Sequence, residues 1–411
     1  MLPRFLAGSG CLAIAAALAM SACGGSESDS GGSRTLTIYS SLPLQGAGRP
    51  QAAAMVNGIT MAIDEERGRV GKFKVKYVSL DDSTAQAAQW EPGQVSANAR
   101  KAIQDDTAIA YIGEANSGAT VVSLPITNEA GLLQISPSST YVGLTRSEGA
   151  EPGEPDKYYP SGQRTFGRVM PPDNVDAQAQ VAYQKELGCQ RLYVLNDKET
   201  YGKGVADLVA ASAPKLGIQV LGNDGLDIKA ANYRAVAQRI KSAGADCMFY
   251  GATPAGSAAL VWKDVNVANP DMKLFGPAGM ADTEFTGEIP ESAQRMTHIT
   301  NPTIDPKLYP ASGQAFFKAY AKRFGQEPES YAIYGYEAAK LALTAVELAG
   351  EKGNDRQAVV DAFFKIENRD SVFGRYSIDP NGDTTLSTYG ANIVKDGKLV
   401  FDRAIETAPV G

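Results

Sequence analysis

The sequence predicts an α/β protein made of two doubly wound lobes, each a parallel sheet covered by helices. Three observations carry this. Short apolar runs rich in β-branched residues alternate with helical stretches along most of the chain, as parallel strands joined by crossover helices require. The alternation breaks at residues 146–163, rich in Gly, Pro, Glu and Tyr, and then restarts. The chain has 411 residues, more than one hydrophobic core usually organises.

The elements follow in order. LTIYS at Leu36–Ser40 reads as a strand, and a polar loop with Pro43, Gln45 and Gly46 leads to a helix at Gln51–Glu66. A strand at Val75–Leu80 ends at Asp81-Asp82; a helix at Val95–Gln104, a strand at Ala108–Ile112, a helix at Ala119–Ala130 and a strand at Leu132–Ile135 complete the first series. The second series begins with a strand at Thr165–Val169 and a helix at Asn174–Leu187. It continues with strands at Arg191–Leu195, Gln219–Gly222, Asp246–Tyr250 and Lys273–Phe275. The helices between them are Gly204–Leu216, Tyr233–Ala243 and Ala255–Val265. Helices at Ser312–Phe324 and Tyr331–Ala349 follow. Strands at Tyr389–Val394 and Leu399–Phe401, around a Lys395-Asp396-Gly397 turn, end the chain.

The N-terminus reads as an export signal. Arg4 precedes an apolar run from Cys11 to Met20, and Ser21-Ala22-Cys23 supplies a small-residue cleavage zone. The run is too short for a spanning helix, which needs roughly 20 residues. Met20-Ser21-Ala22-Cys23 resembles a bacterial lipobox, with Cys23 the lipidated residue, and GGSESDSGGS at 24–33 reads as a flexible tether. Residues 1–22 are then the signal and 23–33 the anchored linker. Export permits a disulfide, but nothing in the sequence brings Cys189 and Cys247 together, so they read as two buried free thiols.

Composition and motifs narrow the chemistry. A net charge of −7 with no basic stripe argues against a nucleic-acid partner. The single histidine, His298, rules out most histidine-cluster metal sites and weakens any Ser-His-Asp arrangement. There is no G-x-S-x-G elbow, no G-x-x-x-x-G-K-[ST] loop and no G-x-G-x-x-G after the first strand. Asp379-Pro380-Asn381-Gly382-Asp383 lacks the Gly and Glu of a calcium loop and reads as a turn. No cofactor, metal or catalytic residue is expected. In open parallel sheets ligands sit beyond the carboxyl ends of strands. Those loops are rich here in hydroxyl, amide and tyrosine side chains: Ser40-Ser41, Asn116-Ser117, Ser136–Tyr141, Asn196–Tyr201 and Tyr250–Ser257.

Several segments in one order resemble a known family. They are SLPLQG at 41–46, VNGITMAIDE at 56–65, SLDDS at 79–83, ANARKAI at 97–103, IGEANSGAT at 112–120 and LQISPSST at 133–140. NDKETYGKG at 196–204, YGA at 250–252 and FGPAG at 275–279 follow. The chain resembles the type I periplasmic binding proteins, specifically the Leu/Ile/Val-type substrate-binding proteins of ABC transporters. The resemblance implies a Venus-flytrap fold of two lobes joined by three crossovers, with 34–164 and 300–373 in lobe one and 165–299 and 374–411 in lobe two. It implies a monomer that captures a small polar ligand and delivers it to permease subunits, held by its lipid anchor on the outer face of the cytoplasmic membrane or in the periplasm. A ligand-sensing receptor of the same fold is the alternative.

Residue by residue, the resemblance places the ligand carboxylate on Ser117, Ser138 and Thr140, with Asn116 beside them as a further ligand-binding position. Tyr201 closes from lobe two, with Tyr250 at the next strand end. The sequence departs from the family at Ala278, where binders of α-amino acids carry an acid for the ammonium. Asp282, Glu284 and Glu114 are the candidate replacements; otherwise the ligand has no ammonium. Trp90 lies outside these motifs and reads equally as packing or pocket wall.

Overall fold

The computed structural model describes residues 35–408. Residues 1–22, Cys23 and the tether 24–33 lie outside the described residues. No helix among those described is long and apolar enough to cross a membrane.

Two large sheets form. The first has six strands in the order Arg69–Val70, Phe73–Asp81, Thr35–Leu42, Ala108–Ile112, Leu133–Ser136, Phe166–Arg168. The second has seven, in the order Gln219–Gly225, Arg191–Asn196, Cys247–Gly251, Lys273–Gly276, Thr297–Asn301, Thr388–Lys395, Lys398–Glu406. Both are mainly parallel, and the last two strands of the second sheet run antiparallel. The alternation of apolar runs and helices therefore gives the expected doubly wound lobes.

Two boundaries differ from expectation. Phe166–Arg168 pairs parallel with Leu133–Ser136 and belongs to the first sheet, so the chain first crosses after Arg168 and not at 164/165. The segment 146–163 is an excursion of the first lobe; Tyr158 and Tyr159 pack with Leu124, Val142 and Phe166. Val372, Tyr376 and Ile378 likewise bury in the first lobe's core, so the last crossing falls after Ile378 and not at 373/374. Thr297–Asn301 was not legible as a strand. Only Ile299 in it is aliphatic, and its place comes from the neighbouring strands Lys273–Gly276 and Thr388–Lys395.

The cysteines are a second correction. Cys189 and Cys247 are disulfide-bonded, with Cα atoms 5.8 Å apart. Cys247 opens a strand that pairs with Arg191–Asn196, and Cys189 lies just before that partner strand, so sheet pairing brings the two together. His298 packs between the rings of Tyr183 and Phe275, and burial pulls its pKa down to about 4. The 379–383 segment is a turn, as expected: Asp379 accepts from the backbone N–H of Asn381 and Asp383.

The first lobe's core is anchored by helices Arg49–Glu65 and Ala332–Ala349, which lie in close backbone contact. A Cβ at Gly58 would stand 2.2 Å from the Ala332 carbonyl oxygen, and one at Gly335 2.3 Å from that of Met55. Only glycine permits this approach. The contact fixes the N-terminal ends of both helices, which carry Gln51, Met55 and Tyr331, beside the carboxyl ends of the strands.

Candidate functional site

The carboxyl ends of strands from both sheets face one cleft, with a volume of about 130 Å³. That is close to the roughly 150 Å³ of an engineered apolar cavity that accommodates benzene, so the space suits a small organic molecule. Just beyond the strand ends lie Pro43, Asn116 and Ser138 in the first lobe and Asp197, Thr253 and Ala278 in the second, and all six line the cleft.

The first-lobe wall is a helix start. The helix runs Ser117–Glu129, two residues earlier than expected, with extended Asn116 as its N-cap. Its first intrahelical bond is from Thr120 N–H to the Asn116 carbonyl, 3.0 Å. The amides of Ser117, Gly118 and Ala119 precede that bond and have no carbonyl inside the helix to meet. Such a terminus favours an anion. The Ser117 hydroxyl oxygen accepts from Tyr141 N–H at 3.2 Å, which leaves its own proton to donate. Thr140 lines the cleft beside it. Ser138 lines it too, but its hydroxyl already donates to the Ala115 carbonyl at 3.0 Å.

The second-lobe wall is built around Tyr201. Its helix begins at Thr200, four residues earlier than expected, which puts Tyr201 in the first turn. The Tyr201 hydroxyl accepts from Gly279 N–H at 2.8 Å, and its ring covers Gly279 closely: a Cβ there would be 2.5 Å from the ring. Ala278 lines the cleft and is buried in one apolar cluster with Val175, Ala179 and Tyr389. Its carbonyl accepts from the Tyr331 hydroxyl of the first lobe at 2.6 Å, and its N–H faces Asp176 at 3.3 Å.

Three expected residues lie elsewhere. Tyr250 is fully buried beside Trp262 in the second lobe's core; strand alternation turns it away from the cleft. Glu284 stands exposed on the outer side of the short helix Thr283–Glu288. Glu114 is buried behind the first-lobe wall, accepting from the Tyr111 hydroxyl at 2.6 Å. Asp82 lies beside it, and burial together with the Glu114 charge pushes Asp82 well above the usual carboxylate range; neither residue lines the cleft. Of the three candidate ammonium partners only Asp282 lines the cleft. One of its carboxylate oxygens caps the helix, accepting from Glu284 N–H at 2.8 Å and Phe285 N–H at 3.1 Å, and burial raises its pKa.

The sequence reading missed several wall residues. Trp90, left open between packing and pocket, lines the cleft and lies on the first turn of the Ser117 helix: a Cβ at Gly118 would be 2.8 Å from its ring. It comes from the hairpin Ser83–Thr84/Gln89–Trp90, whose strands of two residues carry no periodic signal. Gln51 joins the lobes, donating to the Ala281 carbonyl at 3.0 Å and accepting from Tyr331 N–H at 3.0 Å. Asp197 and Glu199 add acidic groups to the second-lobe wall, and burial raises Asp197 to about 7. No Lys, Arg or His is among the lining residues.

Neutral donors on one wall, acids on the other, and a chain that crosses between the two lobes three times define a two-lobed binding protein. The chain matches the periplasmic binding protein family over residues 35–398 and belongs to it. It is similar to the Leu/Ile/Val-binding protein BraC3 of Rhizobium johnstonii, 27% identical over 371 residues that cover 89% of this chain and 93% of that one. Among solved structures it shares the fold of a leucine-binding protein from Thermotoga maritima, with a TM-score of 0.77 at 24% identity, covering 90% and 99% of the two chains. A solute-binding protein from R. palustris in complex with benzoate is similar as well, with a TM-score of 0.74 at 20% identity, covering 92% and 99%.

Proposed function

We propose that this is the exported, lipid-anchored solute-binding subunit of an ABC transporter, and that its ligand is a small zwitterion, an α-amino acid with an apolar side chain. The observation that carries the reading is the opposition of two walls. The start of the Ser117 helix, with Ser117 and Thr140, offers neutral donors to a carboxylate, while Asp282 faces the cleft from the second lobe. With no lining Lys or Arg, a carboxylate would be held by backbone and hydroxyl dipoles alone. Asp282 then does what an acid at 278 does elsewhere in the family. Met55, Met170 and Trp90 would surround the side chain. The similarity to Leu/Ile/Val-binding proteins supports the same class. Lobe closure around the ligand would present the loaded shape to the permease, and Cys23 would tether the monomer to the membrane.

The lack of an acid at Ala278 favours a second reading, a carboxylate without an ammonium, and the likeness to the benzoate-bound protein fits it. Calorimetric titration of residues 24–411 with leucine, isoleucine and valine, and with 4-methylpentanoate and benzoate, separates the two. Binding of an amino acid that is lost on deamination supports the zwitterion. Binding of the simple carboxylates alone overturns it.

A further inference from the structure

The geometry points to Arg168 as the positioning residue of the loop that offers Thr140 to the ligand. Arg168 is fully buried at the end of the last strand of the first sheet, where the chain first crosses between lobes. One terminal nitrogen of its guanidinium donates to two carbonyls, Ser139 at 3.2 Å and Tyr141 at 2.9 Å. These flank Thr140. The Thr140 carbonyl is itself held by Asp173 N–H at 2.9 Å, so three successive carbonyls are fixed by the short stretch 168–173.

The consequence for binding follows from the peptide unit. In a trans peptide the C=O and the following N–H point opposite ways, and the Ser139–Thr140 bond is not among the cis peptides. Drawing the Ser139 carbonyl inward to Arg168 therefore turns the Thr140 N–H outward, away from the guanidinium. Thr140 lines the cleft. Arg168 never touches the ligand in this arrangement; it sets the direction of a donor that does.

The guanidinium is in turn held by the far end of the chain. Its Nε donates to Asp383 at 2.7 Å, and the Arg168 N–H donates to the Gly382 carbonyl at 3.0 Å. Arg146 bonds the other Asp383 oxygen at 2.6 Å. Asp383 lies just before the last crossing, so one ion pair ties the first and last crossings to the binding loop. A buried guanidinium needs partners for its remaining donors as well as a counter-charge, and here the Thr145 hydroxyl and the Ser139 and Tyr141 carbonyls supply them. What is particular to Arg168 is that the two carbonyls flank one cleft residue.

The inference takes from the proposed function only that the 138–141 loop faces the ligand, and its test needs no ligand. Arg168→Lys keeps the charge opposite Asp383 but cannot span two carbonyls. Hydrogen exchange is compared at the Tyr141 amide, which the loop donates to the Ser117 hydroxyl, and at the Asp173 amide, which donates to the Thr140 carbonyl. The expected result is exchange at least tenfold faster there, with the first-lobe helices unchanged. Arg369→Lys, at the buried Arg369–Glu337 pair of the same lobe, is the control and should leave the loop alone. Should Arg168→Lys not fold, Asp383→Asn is read in the same way. Loop exchange that stays at the wild-type rate in a folded variant, or that rises equally in Arg369→Lys, overturns the inference. Failure of every amino acid in the titration would instead count against the proposed function and leave this result standing.

Discussion

The Tyr201 hydroxyl and the Gly279 amide form a 2.8 Å hydrogen bond that closes one wall of the cleft. The tyrosine is thereby held to the loop that carries Ala278. Tyr201→Phe removes the acceptor of the part-buried Gly279 N–H, at a cost of about 0.5–1.5 kcal/mol. We expect the affinity for the ligand to fall about tenfold with the fold intact. Calorimetry alongside circular dichroism checks both; unchanged affinity would remove this bond from the site.

Ser117 and Thr140 should act together on the carboxylate. Hydrogen bonds to a charged group contribute about 1.5–3 kcal/mol each, so the double variant Ser117→Ala/Thr140→Ala should lose more than roughly a hundredfold for a carboxylate. The matching primary amide should lose far less. Equal losses for acid and amide would contradict the assignment of this wall.

Trp90 offers an optical readout. The chain has two tryptophans, and Trp262 is fully buried in the second lobe with its ring N–H bonded to Thr297 at 2.9 Å. A ligand-induced change in intrinsic fluorescence should therefore come from Trp90. It should disappear in Trp90→Phe and persist in Trp262→Phe.

The disulfide joins residues 58 apart. Bridges of this kind typically contribute about 2–4 kcal/mol. Replacing both cysteines by serine should lower the melting temperature by roughly 3–5 °C. A scan with and without reductant on the wild type gives the same comparison, and no shift in either would mean the bridge is absent.

Asp173 sets a pH dependence. Burial pushes its carboxyl up to about 7, with the nearby Asp176 charge adding to the rise. A raised folded pKa means the folded state prefers the neutral acid. Its contribution is fully present below the ordinary value near 4 and is lost as pH rises through 7. Asp173→Asn should remove that loss, a difference on the order of a few kcal/mol between pH 5 and pH 8. Denaturant titrations at the two pH values measure it; equal pH slopes for variant and wild type would refute it.

How much of this was legible depended on the residues. Long periodic helices and apolar strands such as Ala108–Ile112 could be read because burial imposes their pattern. The helix starts at Ser117 and Thr200 were placed late, since polar first turns carry no apolar period. Asn116, Ser117, Ser138, Thr140, Tyr201, Ala278 and Asp282 reach the cleft because they sit just beyond strand ends. Tyr250 does not, because it is still inside its strand and alternation decides its face. Gln51, Met55 and Tyr331 were out of reach of the sequence, for their place depends on how two distant helices dock. Arg168 and Asp383, 215 residues apart, leave no local signal at all.

A cleft without a single lining cation also decides what it turns away. Dipoles at a helix start can offset one negative charge, but a phosphate or dicarboxylate would bring a second toward Asp197, Glu199 and Asp282. Phosphate, sulfate and dicarboxylates are thus poor competitors. With no lining cation for salt to screen, the hold on the carboxylate itself should stay nearly constant from dilute to saline surroundings.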